Sequence, residues 1–205
     1  MARRRATGNK KSPPGRLRIV AGNWRSRLLD IADVPGLRPT SERIRETLFN
    51  WLAPRIEGAR CLDLFAGTGA LGLEALSRGA AATVFVEKSA LAVGVLKSNI
   101  EKLGAEGVTI CKADAIQYLR QIPVEPFDIV FLDPPFAADM LEDLCRLIAE
   151  RHVLADGASV YLERGVATIE PELPAGWEVL HGKIAGQVRY SLVAPRAGQQ
   201  QGKSR

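Results

Sequence analysis

Two short stretches hold residues whose types and spacing could do chemistry. The first is Cys61–Ala80, CLDLFAGTGALGLEALSRGA. Its apolar start carries one acid, Asp63, breaks at Gly67-Thr68-Gly69, and resumes at helical spacing through Leu71, Ala75 and Leu76. That reads as a strand, a glycine turn and a helix, where unpaired backbone N–H groups face outward and bind ligands. Gly67, Gly69 and Gly72 also spell G-x-G-x-x-G, with Glu87 twenty residues beyond Gly67, which fits a dinucleotide fingerprint. Asp63 is the departure from that pattern. A carboxylate in this crevice would repel a pyrophosphate and suit a ligand with a cationic end, such as S-adenosylmethionine. As a bare structural turn, the same loop would bind nothing.

The second stretch is Asp133-Pro134-Pro135-Phe136. Consecutive prolines remove two N–H donors and stiffen the chain. Carbonyls and the Asp133 carboxylate remain, so the site accepts hydrogen bonds and donates few. It suits an amino group, and Phe136 offers a flat face on which a base can stack. The target chemistry is thus an exocyclic amine of a nucleobase. A stiff turn after a buried strand is the purely structural alternative.

Positioning these groups requires alternating elements. Strands are expected at about 60–65, 83–87, 108–112, 127–132 and 159–163, with helices at about 70–78, 89–103 and 138–151 and a short one after Asp114. Alternation with short crossovers predicts a parallel sheet with helices on both faces. Residues 178–183 and 187–193 read as a final antiparallel pair, with Gly186 at the turn. The expected fold is α/β and Rossmann-like. Its seven-stranded sheet is mostly parallel, its last strand is antiparallel, and a β-hairpin and helix precede it. The hairpin is expected from 17–21 and 27–31 around Gly22-Asn23-Trp24, and the helix from RPTSERIRETLFNWL, capped by Thr40 or Ser41. Ile44, Leu48, Trp51 and Leu52 form its apolar face, and Arg43 and Arg45 are expected to project elsewhere.

Every candidate residue then falls at a strand carboxyl end, where ligands bind in open α/β sheets. Glu87 could accept bonds from ribose hydroxyls or simply favour a helix N-terminus. Asp114 could accept from an adenine amine or cap a helix. Val86, Lys88 and Ala115 would line the adenine slot.

With 205 residues, 46% hydrophobic and 25% charged, the chain suits one globular domain with extensions. Division is expected into a basic extension at 1–15, a hairpin and helix at 16–55, the main domain at 56–194 and a polar tail at 195–205. No run of eighteen apolar residues is present, so no membrane span is expected. Cys61, Cys111 and Cys145 are scattered and lack metal spacing, which suits reduced thiols in a cytoplasmic protein without a metal. The net charge is +5, and nine bases but no acid precede Asp30. Such a block suits nucleic-acid contact or a solvated tail. Arg16, Arg18, Arg25 and Arg27, on the hairpin, are the candidate RNA contacts.

DPPF is similar to the (N/D)-PP-(F/Y) motif of amino-methyltransferases that act on nucleic acids, and LDLFAGTGALGLEALSRGA resembles their S-adenosylmethionine loop. RPTSERIRETLFNWL resembles the signature of one branch, the RsmD-type 16S ribosomal RNA (guanine-N2)-methyltransferases, and the likeness spans about residues 16–194. The resemblance implies the S-adenosylmethionine-dependent methyltransferase fold and methyl transfer from S-adenosylmethionine to a guanine N2 amine. It implies Asp133, Pro134, Pro135 and Phe136 as catalytic residues. Asp63, Phe65, Gly67, Thr68, Gly69, Glu87, Lys88, Asp114, Ala115, Thr40 and Arg43 are implied as cofactor contacts. The expected partner is ribosomal RNA or the small ribosomal subunit, and the expected state is a monomer. Three other readings compete. A nicotinamide-dependent oxidoreductase would leave Asp63 and DPPF without a role. A non-catalytic RNA-binding assembly factor would not need Asp133 and Phe136. An enzyme acting on DNA adenine or protein glutamine would share the DPPF chemistry.

Overall fold

The computed structural model describes residues 15–34, 39–121, 125–135 and 140–196. Strands β1 (Arg16–Arg18) and β2 (Leu28–Asp30) form a two-stranded antiparallel hairpin. Helix α1 (Glu42–Leu52) follows. Then come β3 (Arg60–Asp63), α2 (Ala70–Ser77), β4 (Ala82–Glu87), α3 (Ala90–Leu103), β5 (Val108–Lys112), α4 (Ala115–Gln121) and β6 (Phe127–Leu132). Helix α5 (Leu141–Glu150), β7 (Leu154–Gly165), β8 (Trp177–Ala185) and β9 (Val188–Pro195) complete the chain.

The main sheet has seven strands in the order β5-β4-β3-β6-β7-β9-β8. β3 pairs parallel with both β4 and β6, β4 with β5, and β6 with β7. β9 inserts antiparallel between β7 and β8, so the last strand of the chain is the reversed one, as expected. Gly186, at φ 62°, makes the tight β8–β9 turn possible. The hairpin strands are shorter than the sequence suggests. Residues 19–27 instead form an irregular loop closed by backbone bonds between Ile19 and both Ser26 and Arg27.

Parallel strands buried on both faces read as continuous apolar runs, and alternate residues feed two cores. Cys61, Phe85, Ile129, Phe131 and Tyr161 face the core shared with α1, α2, α3 and the hairpin. Leu62, Val84, Val86, Val130 and Leu162 face the one formed with α4 and α5. Leu17, Leu29, Leu48 and Phe49 are buried in the first of these, so the hairpin and α1 pack directly on the sheet.

One expectation about α1 fails. Arg45 does not project from the helix; it is fully buried beside the equally buried Glu74 of α2, Nη1 to Oε2 at 2.9 Å. Its guanidinium also donates to the carbonyls of Arg18 and Thr40. Glu74 in turn accepts from the backbone N–H groups of Val20 and Ala21 and from Arg78. One ion pair thus joins hairpin, α1 and α2, which explains why a charge occupies this face. Ser41, not Thr40, caps α1: its hydroxyl accepts from the Ile44 N–H.

Candidate active site

The carboxyl ends of β3, β4, β5, β6 and β7 bring the candidate residues to one edge. After β3 the chain turns through Gly67 and Gly69, whose φ values of 52° and 89° lie in the left-handed region that glycine tolerates. Gly69 caps α2 without a side-chain bond. A Cβ on Gly72 would lie 2.2 Å from Phe85 Cε1, so that glycine lets α2 close on the sheet.

Asp63 is 2% exposed, and its Oδ2 accepts from the Gly72 N–H at 3.0 Å. Its carboxyl therefore braces the first turn of α2 instead of opening into the crevice. Burial pushes its pKa up to about 7, while the N–H donors of Gly72 and Phe65 pull it back. Glu87, half-buried at the end of β4, bridges two loops: it accepts from the Gly67 N–H at 2.8 Å and the Ser89 N–H at 2.6 Å. Asp114 Oδ1 caps α4 by accepting from the Ile116 N–H at 3.1 Å, and its Oδ2 meets Lys88 Nζ at 3.4 Å. Lys88 is exposed and Ala115 buried on either side of this rim. Phe65 is half-buried against the α4–α5 core.

Thr68 is 2% exposed, and its hydroxyl is buried without a hydrogen-bond partner. An orphaned hydroxyl in a glycine turn, with Glu87 beside the turn, fits a ligand that carries both acceptors and hydroxyls. The residues present therefore fit S-adenosylmethionine. Asn99 of α3, which sequence reasoning passed over, ties this loop to the hairpin: its amide donates to the carbonyls of Thr68 and Asp30.

Asp133 leaves β6 directly beside β3, where Asp63 pairs in register with Phe131. The Thr40 hydroxyl donates to Asp133 Oδ2 at 3.1 Å, which ties the segment ahead of α1 to this carboxylate. Pro134 is buried and Pro135 exposed; Phe136 lies outside the described residues. Burial raises the Asp133 pKa well above the usual carboxylate range, and the charge of Glu163 adds to the rise. Glu163, at the carboxyl end of β7, is 4% exposed and accepts from Tyr161 Oη at 2.6 Å. It too was missed, although it ends an apolar run as Glu87 does.

Arg43 is exposed on α1, and among the described residues no side-chain bond joins it to this edge. The hairpin arginines lie at the surface. Arg16 sits 3.8 Å from Asp30 and Arg18 3.9 Å from Glu42; Arg27 donates to the Lys102 carbonyl and Arg25 is exposed. Exposed pairs at such distances hold little energy, so these guanidinium groups can turn to a phosphate. The extension at 1–14 lies outside the described residues, as does the tail from 197. No group of three or more metal-ligating side chains occurs among the described residues, and no described helix is long and apolar enough to cross a membrane. A cavity of about 480 Å³ lies at the opposite end of β7, between Arg55, Asp156 and Glu178, away from this chemistry.

The model of the family called Conserved hypothetical protein 95 matches residues 17–194. Ribosomal RNA small subunit methyltransferase D of Escherichia coli K12 is 46% identical over 181 residues, 88% of this chain and 91% of that protein. The protein of the same name from Haemophilus influenzae is 41% identical over 183 residues, 87% and 93% of the two chains. A solved Escherichia coli structure superposes with a TM-score of 0.81 at 44% identity, covering 87% of this chain and 97% of its own. The chain belongs to the Conserved hypothetical protein 95 family, that of the ribosomal RNA small subunit methyltransferase D proteins, and has their S-adenosylmethionine-dependent methyltransferase fold.

Proposed function

We propose that the chain methylates the exocyclic N2 amine of a guanine in small-subunit (16S) ribosomal RNA, with S-adenosylmethionine as donor. The small-subunit RNA substrate comes from the names of the relatives. The amine target rests on one observation above all: Asp133, followed by two prolines, lies on β6, the strand paired with the glycine-loop strand β3.

S-adenosylmethionine supplies a methyl group already activated on a sulfonium. The chain then has to bind, orient and accept a proton. Glu87 receives the ribose hydroxyls by exchanging its bond to the Gly67 N–H, and the Thr68 hydroxyl gains the partner it lacks. Asp114 offers Oδ2 to the adenine amine while Oδ1 keeps its helix cap. Asp133 and the Pro134 carbonyl accept the two N–H bonds of the guanine amine, and Phe136 stacks on the base. This aims the nitrogen lone pair along the methyl–sulfur bond, and alignment of this kind can supply most of the acceleration. As positive charge grows on the nitrogen, the Asp133 carboxylate stabilises it.

The test is single-turnover methyl transfer to unmethylated small subunits. Asp133→Ala should lower the rate about a hundredfold or more while changing cofactor affinity little. Folded Asp133→Ala protein with the wild-type rate would end this reading.

A further inference from the structure

Behind Asp133 lies a chain of oxygens that the proposed reaction does not yet use. Glu163 sits one strand over, just past the Leu132–Leu162 register pair, and Tyr161 Oη donates to its Oε2 at 2.6 Å. Thr40, 3% exposed, donates to Asp133 Oδ2 at 3.1 Å, and the same hydroxyl acts on Glu163, where it offsets part of the rise in that carboxyl's pKa that burial causes. The order is Tyr161, Glu163, Thr40, Asp133. The groups that face the pair are Asp63 from β3, Tyr161 from β7, Tyr190 from β9 and Thr40 ahead of α1. All are acids or hydroxyls, and among the described residues no lysine or arginine pairs with either carboxylate.

A hydroxyl has one hydrogen and can donate to one carboxylate at a time. Two carboxylates this close, Glu163 buried and Asp133 half-buried, do not both ionise cheaply. Burial raises the pKa of each. Charge on one carboxyl therefore favours a proton on the other, and the pair titrates as a unit.

We propose that Glu163 is a positioning residue for methyl transfer: through the Thr40 hydroxyl it fixes the Asp133 carboxyl and shares with it a single proton. This rests on the reading of Asp133 as the group that holds the amine. The exchange runs through Thr40: a proton on Asp133 passes to Thr40 Oγ1 as the Thr40 hydrogen passes to Glu163, which leaves the Thr40 hydroxyl donating to Asp133, the arrangement the structure has. The negative charge then stands on Asp133 and no proton is gained or lost. The Tyr161 phenol holds Glu163 in line for that exchange. Thr40 also ties the device to the N-terminal segment, because its carbonyl accepts from the buried Arg45.

The experiment uses Glu163→Gln, which keeps the shape and removes the charge. Carboxyl-13C NMR of the whole chain without cofactor should show the Asp133 midpoint falling by about one pH unit or more. The acid limb of single-turnover methyl transfer should move down with it. Thr40→Val should lower the plateau rate about tenfold, and Thr40→Ser should restore it. Should Glu163→Gln not fold, Tyr161→Phe reads the coupling from the other side, by raising the Glu163 midpoint. An unmoved Asp133 midpoint and acid limb in folded Glu163→Gln, an unmoved Glu163 midpoint in Tyr161→Phe, or a wild-type plateau in Thr40→Val would overturn the proposal. Asp133→Ala separates the two readings. If it alone abolishes transfer while these variants behave as wild type, Asp133 holds the amine without Glu163. If it is fully active, the amine is held elsewhere.

Discussion

Removing the Glu74 carboxylate should unfold the junction between the N-terminal segment and the sheet. Glu74 has no exposed surface and accepts from four donors: Arg45 Nη1 at 2.9 Å, Arg78 Nε at 2.8 Å, and the N–H groups of Val20 and Ala21 at 2.8 and 3.0 Å. In Glu74→Ala, Arg45 stays buried as an uncompensated charge, which costs about 3–5 kcal/mol. Two buried N–H groups also lose their acceptor, at about 1–3 kcal/mol each if no water enters. These terms overlap, so about 5 kcal/mol is the working figure, a large share of a typical stability of about 5–15 kcal/mol. Urea denaturation followed by far-ultraviolet circular dichroism measures it, and the midpoint should fall with little change in slope. Arg45→Met combined with Glu74→Leu should recover most of the loss, because it removes both charges at once. A loss below about 1 kcal/mol in Glu74→Ala would refute the reasoning, since it would mean that Arg45 reaches water or another acid.

Three further outcomes are expected. Asp63 has its pKa raised by burial from 3.8 to about 7, worth about 4 kcal/mol. That contribution is complete below about pH 4 and is lost as pH rises through about 7, so Asp63→Asn should flatten the fall in melting temperature across this window; an unchanged pH slope would contradict it. Glu87→Ala should weaken S-adenosylhomocysteine binding by roughly ten- to a hundredfold in calorimetry, and unchanged affinity would remove its assignment. Gly72→Ala would place a Cβ 2.2 Å from Phe85 and 2.8 Å from Thr83, so a loss of about 1–3 kcal/mol is expected in thermal melts, against none if α2 can lift.

The sheet was legible because its strands are short apolar runs bounded by turn residues, such as Val84–Val86 before Glu87, with Gly104 closing α3. The reversed last strand was legible from the Gly186 turn between two similar runs. The site's edge followed from one rule, that acids at strand carboxyl ends face a ligand. The rule does not say which way such an acid turns. Asp63 braces α2 and Asp114 caps α4, and their local sequence would read the same if they pointed outward. Applied once more, the rule would have found Glu163. Arg45 was not legible. Its partner Glu74 lies 29 residues away inside an apolar helix, and an arginine in α1 ordinarily lies in water.

The most direct test of the central claim is the identity of the methylated nucleoside. Small ribosomal subunits lacking the modification would be incubated with the purified chain and methyl-labelled S-adenosylmethionine. The RNA would then be digested and its nucleosides separated. The account predicts label in N2-methylguanosine, at one position and abolished by Asp133→Ala. Label on an adenine, on a carbon or ribose atom, or on protein instead of RNA would contradict it.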